Sequence, residues 1–184
     1  MLTAALESSV LVGTYRLDPV HTRIGFAVRH AMVTTVRGTF GEFTGTLVLD
    51  PDGEVRAEVL VDTGSIRTGQ DQRDAHLRSP DFLDVDSHPE MAFHATGLMD
   101  LGGGRYTLAG ELTICAVTCP VTIDATLHGI DGDHLGDVRA GFEGRAVIRR
   151  SEFGLTYNVA MELGGVLISD EVTLELDVSA IRVG

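Results

Sequence analysis

Seven histidines, two cysteines and 27 acidic side chains are the groups in this 184-residue chain that could do acid–base, nucleophilic or metal chemistry. The histidines stand at positions 21, 30, 76, 88, 94, 128 and 134. They form no HxH or HExxH spacing and no zinc-like pairing with cysteine. Cys115 and Cys119 bracket Ala116-Val117-Thr118 where two strand-like stretches meet, so they could face each other across a hairpin. A disulfide closing so small a loop has little entropic benefit, and a reducing compartment keeps both thiols free. Inert thiols and a reversible disulfide both stay open. Carboxylates gather in runs such as Asp50-Pro51-Asp52-Gly53 and Asp84-Val85-Asp86, the pattern of solvated turns. There is no GxSxG elbow, and Gly102-Gly103-Gly104 opens a strand rather than a helix, unlike a dinucleotide fingerprint. The expectation is no catalytic residue, no metal and no cofactor.

The basic residues exclude more. All fourteen are arginine; the chain has no lysine. That removes P-loop nucleotide binding, Schiff-base catalysis and Ser–Lys hydrolysis. A net charge of −13 and a pI near 4.7 argue against a general nucleic-acid binder and against charge-driven adhesion to anionic lipid.

The elements that would position these side chains alternate with period 2. Eight sets show one apolar face: Arg23–Arg29, Phe43–Leu49, Val55–Val61, Met91–Thr96, Arg105–Ile114, Val121–Leu127, Val138–Arg149 and Val172–Ser179. Eight antiparallel strands make a sandwich or a closed barrel, and long strands with interior glycines favour a coiled barrel. Arg23, Arg29, Arg56, Arg105, Arg139, Arg145 and Arg149 fall opposite the apolar faces, on the expected exterior. Between Asp62 and Pro89 the alternation stops. Arg73–Arg78 reads as helical, and Ser79-Pro80 reads as an N-cap with proline in the first turn. A second irregular stretch runs from Gly154 to Ser169.

No stretch approaches the roughly 18 apolar residues of a membrane span. The segment before Arg16 lacks the basic n-region of a secretory signal, so the sequence reads as cytoplasmic. One domain over 1–184 is expected, with 1–12 a loosely ordered extension. The inner faces mix Phe26, Phe43, Phe93 and Phe142 with Gly45, Ala57, Ala95, Gly110, Ala125, Ala140 and Gly144. Small residues there either leave a cavity or merely permit strand coiling, and both readings stay open.

Several stretches together resemble the YceI family of lipocalin-like, polyisoprenoid-binding proteins. They are Tyr15-Arg16-Leu17-Asp18-Pro19-Val20-His21-Thr22, Phe26–His30, Val36–Phe40 through Phe43-Thr44-Gly45, and Ser65-Ile66-Arg67-Thr68-Gly69 with Arg73–Phe82. His88-Pro89, Gly110–Ile114, Thr118–Val121 and Arg150–Leu155 follow in the family's order. Two departures stand out: Tyr15 where the family usually has Trp, and Cys115-Ala116 at a hairpin that usually carries a polar or basic residue and Gly. The resemblance implies an all-β fold, an eight-stranded antiparallel lipocalin-like barrel with a short helical excursion around residues 62–90. It implies a carrier or binder of a polyisoprenoid or similar long apolar lipid, of the prenylquinone or polyprenyl phosphate type. The ligand-binding residues would be Phe26, Val28, Phe43, Leu47, Phe93, Leu108, Leu112, Ile114, Phe142 and Ile148. Arg67, Arg73 and Arg78 are the head-group candidates, with ion pairs to Asp71, Asp74 and Asp81 as the competing role. Only the resemblance suggests a homodimer. Two alternatives remain: an enzyme on an apolar substrate using His30, His76 or His94, and a filled barrel acting in stress response or interaction through its surface.

Overall fold

A computed structural model of the chain describes residues 11–31, 33–132, 136–160 and 167–183. Eleven strands, β1 (Gly13–Leu17), β2 (Arg23–His30), β3 (Thr34–Phe40), β4 (Phe43–Leu49), β5 (Val55–Asp62), β6 (Ile66–Arg67), β7 (Glu90–Gly102), β8 (Arg105–Ile114), β9 (Val117–Gly132), β10 (Val138–Arg149) and β11 (Ile168–Val183), form one antiparallel sheet. The order β1-β4-β5-β7-β8-β9-β10-β11 closes on itself because β1 also pairs with β11. That is the eight-stranded antiparallel barrel the sequence implied. Closure removes the exposed sheet edges of this ring.

β2, β3 and β6 continue existing staves rather than adding new ones. β11 is long enough to pair with β2 through Ile168–Asp177 and with β1 through Ala180–Val183. β1 and β2 are thus one stave, kinked at 18–22; β3 and β4 are its hairpin partner, and β6 extends β5 against β3. Asp18 holds the kink. Its carboxylate accepts from the Val20 amide at 3.0 Å and from Arg139, and lies 2.7 Å from His21 Nδ1. Thr22 and Ser179 exchange two further bonds across the same point. Burial alone would push the Asp18 carboxyl up, but these hydrogen bonds outweigh it and hold it below its ordinary value.

β1 and β3 had no periodic signal. β1 is short, and on β3, Thr-Thr-Val-Arg-Gly-Thr-Phe, only Val36 and Phe40 on either side of Gly38 make the inner face apolar. After a 3-10 turn at Thr63–Ser65 the excursion holds one α-helix, α1 (Asp71–Arg78), capped by Gln70 Oε1, which accepts from the Arg73 amide at 2.7 Å. Ser79 is therefore not an N-cap. It ends the helix: its extended backbone (ψ 169) is the conformation a residue before proline prefers, and its amide bonds the His76 carbonyl. An isolated helix of this length is marginal in water, so tertiary contacts must hold it. Leu77 supplies apolar packing, while buried Asp74 accepts from the Thr68 amide (2.8 Å) and hydroxyl (2.5 Å).

Cys115 and Cys119 are both free thiols. They do not face each other: the β8–β9 register sets Ile114 against Val117 and Cys119 against Leu112, leaving Cys115 in the turn. Cys115 and Ala116 both take left-handed φ (49° and 61°), the geometry that usually favours Asn-Gly. Burial pushes the Cys115 thiol up, with Asp84 adding to it, and its sulfur lies 3.4 Å from the Leu83 carbonyl. Of the extension expected at 1–12, residues 1–10 lie outside the described residues, while Leu11 is buried at the barrel end. His134 also lies outside them. No helix among the described residues is long and apolar enough to cross a membrane.

Candidate functional site

The inward faces of the staves surround a cavity of about 350 Å³. On β11 alone, Ile168, Val172, Leu174, Leu176 and Val178 all line it. Ten residue steps at ~3.3 Å, along strands tilted by ~40°, make a channel roughly 25 Å long. Its wall is almost entirely aliphatic and aromatic. Phe26, Val28, Leu47, Phe93, Leu108, Leu112, Ile114, Phe142 and Ile148 all line it; Phe43 does not. Phe43 packs against the same core but borders a small depression between β1, β4 and β5.

Glycines make the room. Gly38 is the cross-strand partner of Phe26, and a Cβ there would meet the Phe26 ring at 2.4 Å. Gly110 stands diagonally across the β7–β8 pair from Phe93, and a Cβ there would meet that ring at 2.4 Å. Each ring therefore lies flat on the neighbouring strand instead of crossing the lumen. The small residues keep the channel open because large ones lie down over them.

The two ends differ. Where the turns at 50–53 and 102–104 lie, Leu11, Tyr15, Leu49, Val55, Tyr106, Ala140 and Ala180 form a closed apolar cluster. Arg182 crosses this rim, its guanidinium 5.6 Å from the Tyr15 ring centre. At the opposite end the wall between β3 and β7 is not made of strands. Among the described residues β3 is paired on that side only by the two residues of β6, and the excursion fills the rest with Leu77, Phe82 and Leu83. His76, Phe82 and Tyr157 stack edge to face or tilted there, 5.0–5.2 Å apart, and His76 Nε2 is 2.8 Å from Asp81 Oδ2.

Arg150 is the charged residue lining the cavity among those described, and it is 7% exposed. Nε donates to the Ser169 carbonyl (2.9 Å) and Nη1 to those of Leu155 (2.6 Å) and Tyr157 (2.9 Å), so the side chain ties the segment after β10 to the start of β11. Burial pulls its guanidinium below the ordinary value, and Asp170 opposes that. Asp170 in turn accepts from the Ser151 hydroxyl and amide, which hold its carboxyl low against the effect of burial. The sequence does carry a signal for Arg150: extending the inward alternation Ala146, Ile148 by two residues lands on it. Phe82, Leu83 and Leu155 have no such signal, because they sit on irregular backbone.

The three candidate head-group arginines do not converge on the cavity, and none lines it. Arg73 donates to the Thr68 hydroxyl (2.7 Å) and carbonyl (2.9 Å), and Arg78 to the carbonyls of Gly64 (2.8 Å) and Ile66 (2.6 Å). Both staple the excursion through backbone carbonyls rather than through Asp71, Asp74 or Asp81. Arg67 is exposed on β6. Of the histidines weighed as acids or bases, His30, His76 and His94 all lie outside the cavity lining. No cluster of potential metal ligands occurs among the described residues.

A model of the YceI-like domain matches residues 15–180. A UPF0312 protein of Pectobacterium atrosepticum is 34% identical over 183 residues, covering 97% of this chain and 91% of that one. Another from Pseudomonas paraeruginosa is 36% identical over 177 residues, covering 94% and 88%. Among solved structures, the YceI protein of Campylobacter jejuni superposes with a TM-score of 0.73 at 26% identity, over 85% of this chain and 90% of that one. A polyisoprenoid-binding domain from Saccharophagus degradans shares the fold, with a TM-score of 0.70 at 14% identity over 92% and 98%.

Proposed function

The chain belongs to the YceI-like family, and from that premise we propose that it binds or carries a long apolar lipid, a polyisoprenoid foremost, inside the barrel. The observation that carries the reading is the cavity: a channel roughly 25 Å long whose wall offers an extended hydrocarbon chain contact on all sides. A neighbour that shares the fold is itself a polyisoprenoid-binding domain. Burying ~20 isoprenoid carbons at ~0.8 kcal/mol each is worth roughly 16 kcal/mol gross. That compares with the upper end of the ~4–15 kcal/mol cost of association. Chain burial can therefore supply most of the affinity, which suits a lysine-free protein of net charge −13.

In this reading Phe26, Val28, Leu47, Phe93, Leu108, Leu112, Ile114, Phe142 and Ile148 grip the chain. An anionic head group stays outside, at the excursion end, where exposed Arg67 is the candidate contact. Arg73 and Arg78 act by holding the excursion that walls the channel. A binding role rather than turnover is the reading supported by a lining that, among the described residues, holds no histidine or carboxylate. Native mass spectrometry of purified protein with lipid extraction tests the proposal. The expected result is a co-purifying or readily loaded prenyl lipid at one per barrel. A protein that neither carries nor takes up prenylquinones or polyprenyl phosphates overturns it.

A further inference from the structure

The closed end of the cavity holds a polar group that none of the described residues engages. Tyr15 lines the cavity there and is only 1% exposed, packed with Leu11, Leu49, Val55 and Tyr106. Its hydroxyl is buried and has no hydrogen-bond partner among the described residues. Phenylalanine would fill the same volume without stranding a donor, so the hydroxyl is a cost that packing does not explain. The ring is fixed independently of that hydroxyl: β1 pairs Tyr15 with Leu47 and Arg182, and the Arg182 guanidinium covers the ring.

Resting on the lipid-binding reading above, we propose that Tyr15 is the terminal recognition point of the channel. Its hydroxyl donates to an oxygen at the inner end of the ligand. The lipids recognised this way are neutral, oxygen-ended apolar chains, with a quinone carbonyl or an alcohol at the tip, and they sit polar end first. Charge decides against an anionic tip at this end. A phosphate would shed its hydration into a wall whose lining cation among the described residues, Arg150, lies at the other end and is engaged with backbone carbonyls, while Arg182 at this end does not line the cavity and donates to the Val12 carbonyl. A neutral carbonyl loses far less on entry and regains a hydrogen bond.

The test compares wild type with Tyr15→Phe on three probes by equilibrium dialysis. They are a geranylgeranyl benzoquinone, the same chain ending in methyl, and geranylgeranyl diphosphate. Loss of one hydrogen bond should weaken the quinone about five- to tenfold. The hydrocarbon and the diphosphate should bind both proteins equally, and the melting temperature of the ligand-free variant should stay the same or rise. Equal quinone affinity in the two proteins overturns the proposal. So does equal weakening of the hydrocarbon, which assigns Tyr15 a role in shape alone. A ligand-free variant that melts several degrees lower reveals a protein partner for the hydroxyl and also overturns it. If none of the probes binds either protein, the lipid-binding reading fails with it; if the hydrocarbon binds and only the quinone effect is missing, that reading stands.

Discussion

Gly38→Ala narrows the channel without touching a ligand contact directly. The added Cβ would sit 2.4 Å from Phe26 Cζ and 2.5 Å from Cε1, while the Arg67 carbonyl at 3.0 Å stops the methyl from giving way. Carbon atoms want about 3.5–4 Å, so the ring must retreat by roughly 1 Å. The Phe40 ring, 5.8 Å away, restricts one direction, and the open one is the cavity. Room for one or two methylene groups is lost, at ~0.8 kcal/mol each, so affinity for a geranylgeranyl chain should fall about 4- to 15-fold. Overpacking a filled core costs about 1–3 kcal/mol; here the ring has empty space to enter, so the stability cost should be less than about 1 kcal/mol. Dialysis binding and urea melts on Gly38→Ala and on Gly38→Ala/Phe26→Leu measure both quantities. The double variant restores the room and should bind more tightly than the single one. Unchanged affinity in Gly38→Ala, or a deficit that persists in the double variant, refutes the idea that glycine and flattened phenylalanine shape the lumen.

Phe142→Arg puts a cation in the middle of the apolar wall and should abolish uptake of prenyl lipid in a protein that keeps its β-type circular dichroism; undiminished uptake removes Phe142 from the ligand wall. Arg150→Met leaves the carbonyls of Leu155, Tyr157 and Ser169 without their donor and should cost at least about 2 kcal/mol, seen as a lower urea midpoint and faster proteolysis after β10. A variant with the wild-type urea midpoint would show that the clamp is idle. Asp18 has its pKa lowered in the fold, so its contribution is present above the unfolded value of about 3.9 and is lost as pH falls through the folded one. Asp18→Asn should therefore be less stable near neutrality and lose less between about pH 4 and the acid transition; parallel pH profiles would contradict this. Arg78→Ala should lower the melting temperature by freeing the Gly64 and Ile66 carbonyls, whereas Arg67→Ala should leave it unchanged, as thermal melts will show.

Much of the barrel was legible in the chain because inward and outward residues alternate along the strand, a purely local rule. Each of the eight alternating sets falls on a different stave, and Phe26, Phe93 and Phe142 line the lumen as that rule has it, whereas Phe43 does not. The rule fails where backbone leaves the strand. Ser79 carries the local marks of a helix start, yet Pro80 behind it equally suits a helix end, and only the packing of Leu77 and Asp74 decides between them. Arg73 and Arg78 looked like ligand contacts because three arginines cluster in sequence; in space their guanidiniums turn to carbonyls of the same excursion. Arg150 has no role legible in the chain, because a charge at an inward position reads as an exception until its carbonyl partners are visible.

Composition and alternation alone excluded lysine chemistry, set the class as all-β and divided inside from outside, since these depend on residue type and on neighbours a few positions away. The open lumen, the closed floor with Tyr15 and the kinked first stave were decided by tertiary structure. They depend on which residue lies across the strand, as Gly38 does from Phe26, or on residues far apart in sequence, as Arg139 is from Asp18 and Arg182 from Tyr15. Register sets the first kind, and barrel closure sets the second, linking positions more than a hundred residues apart such as Asp18 and Arg139.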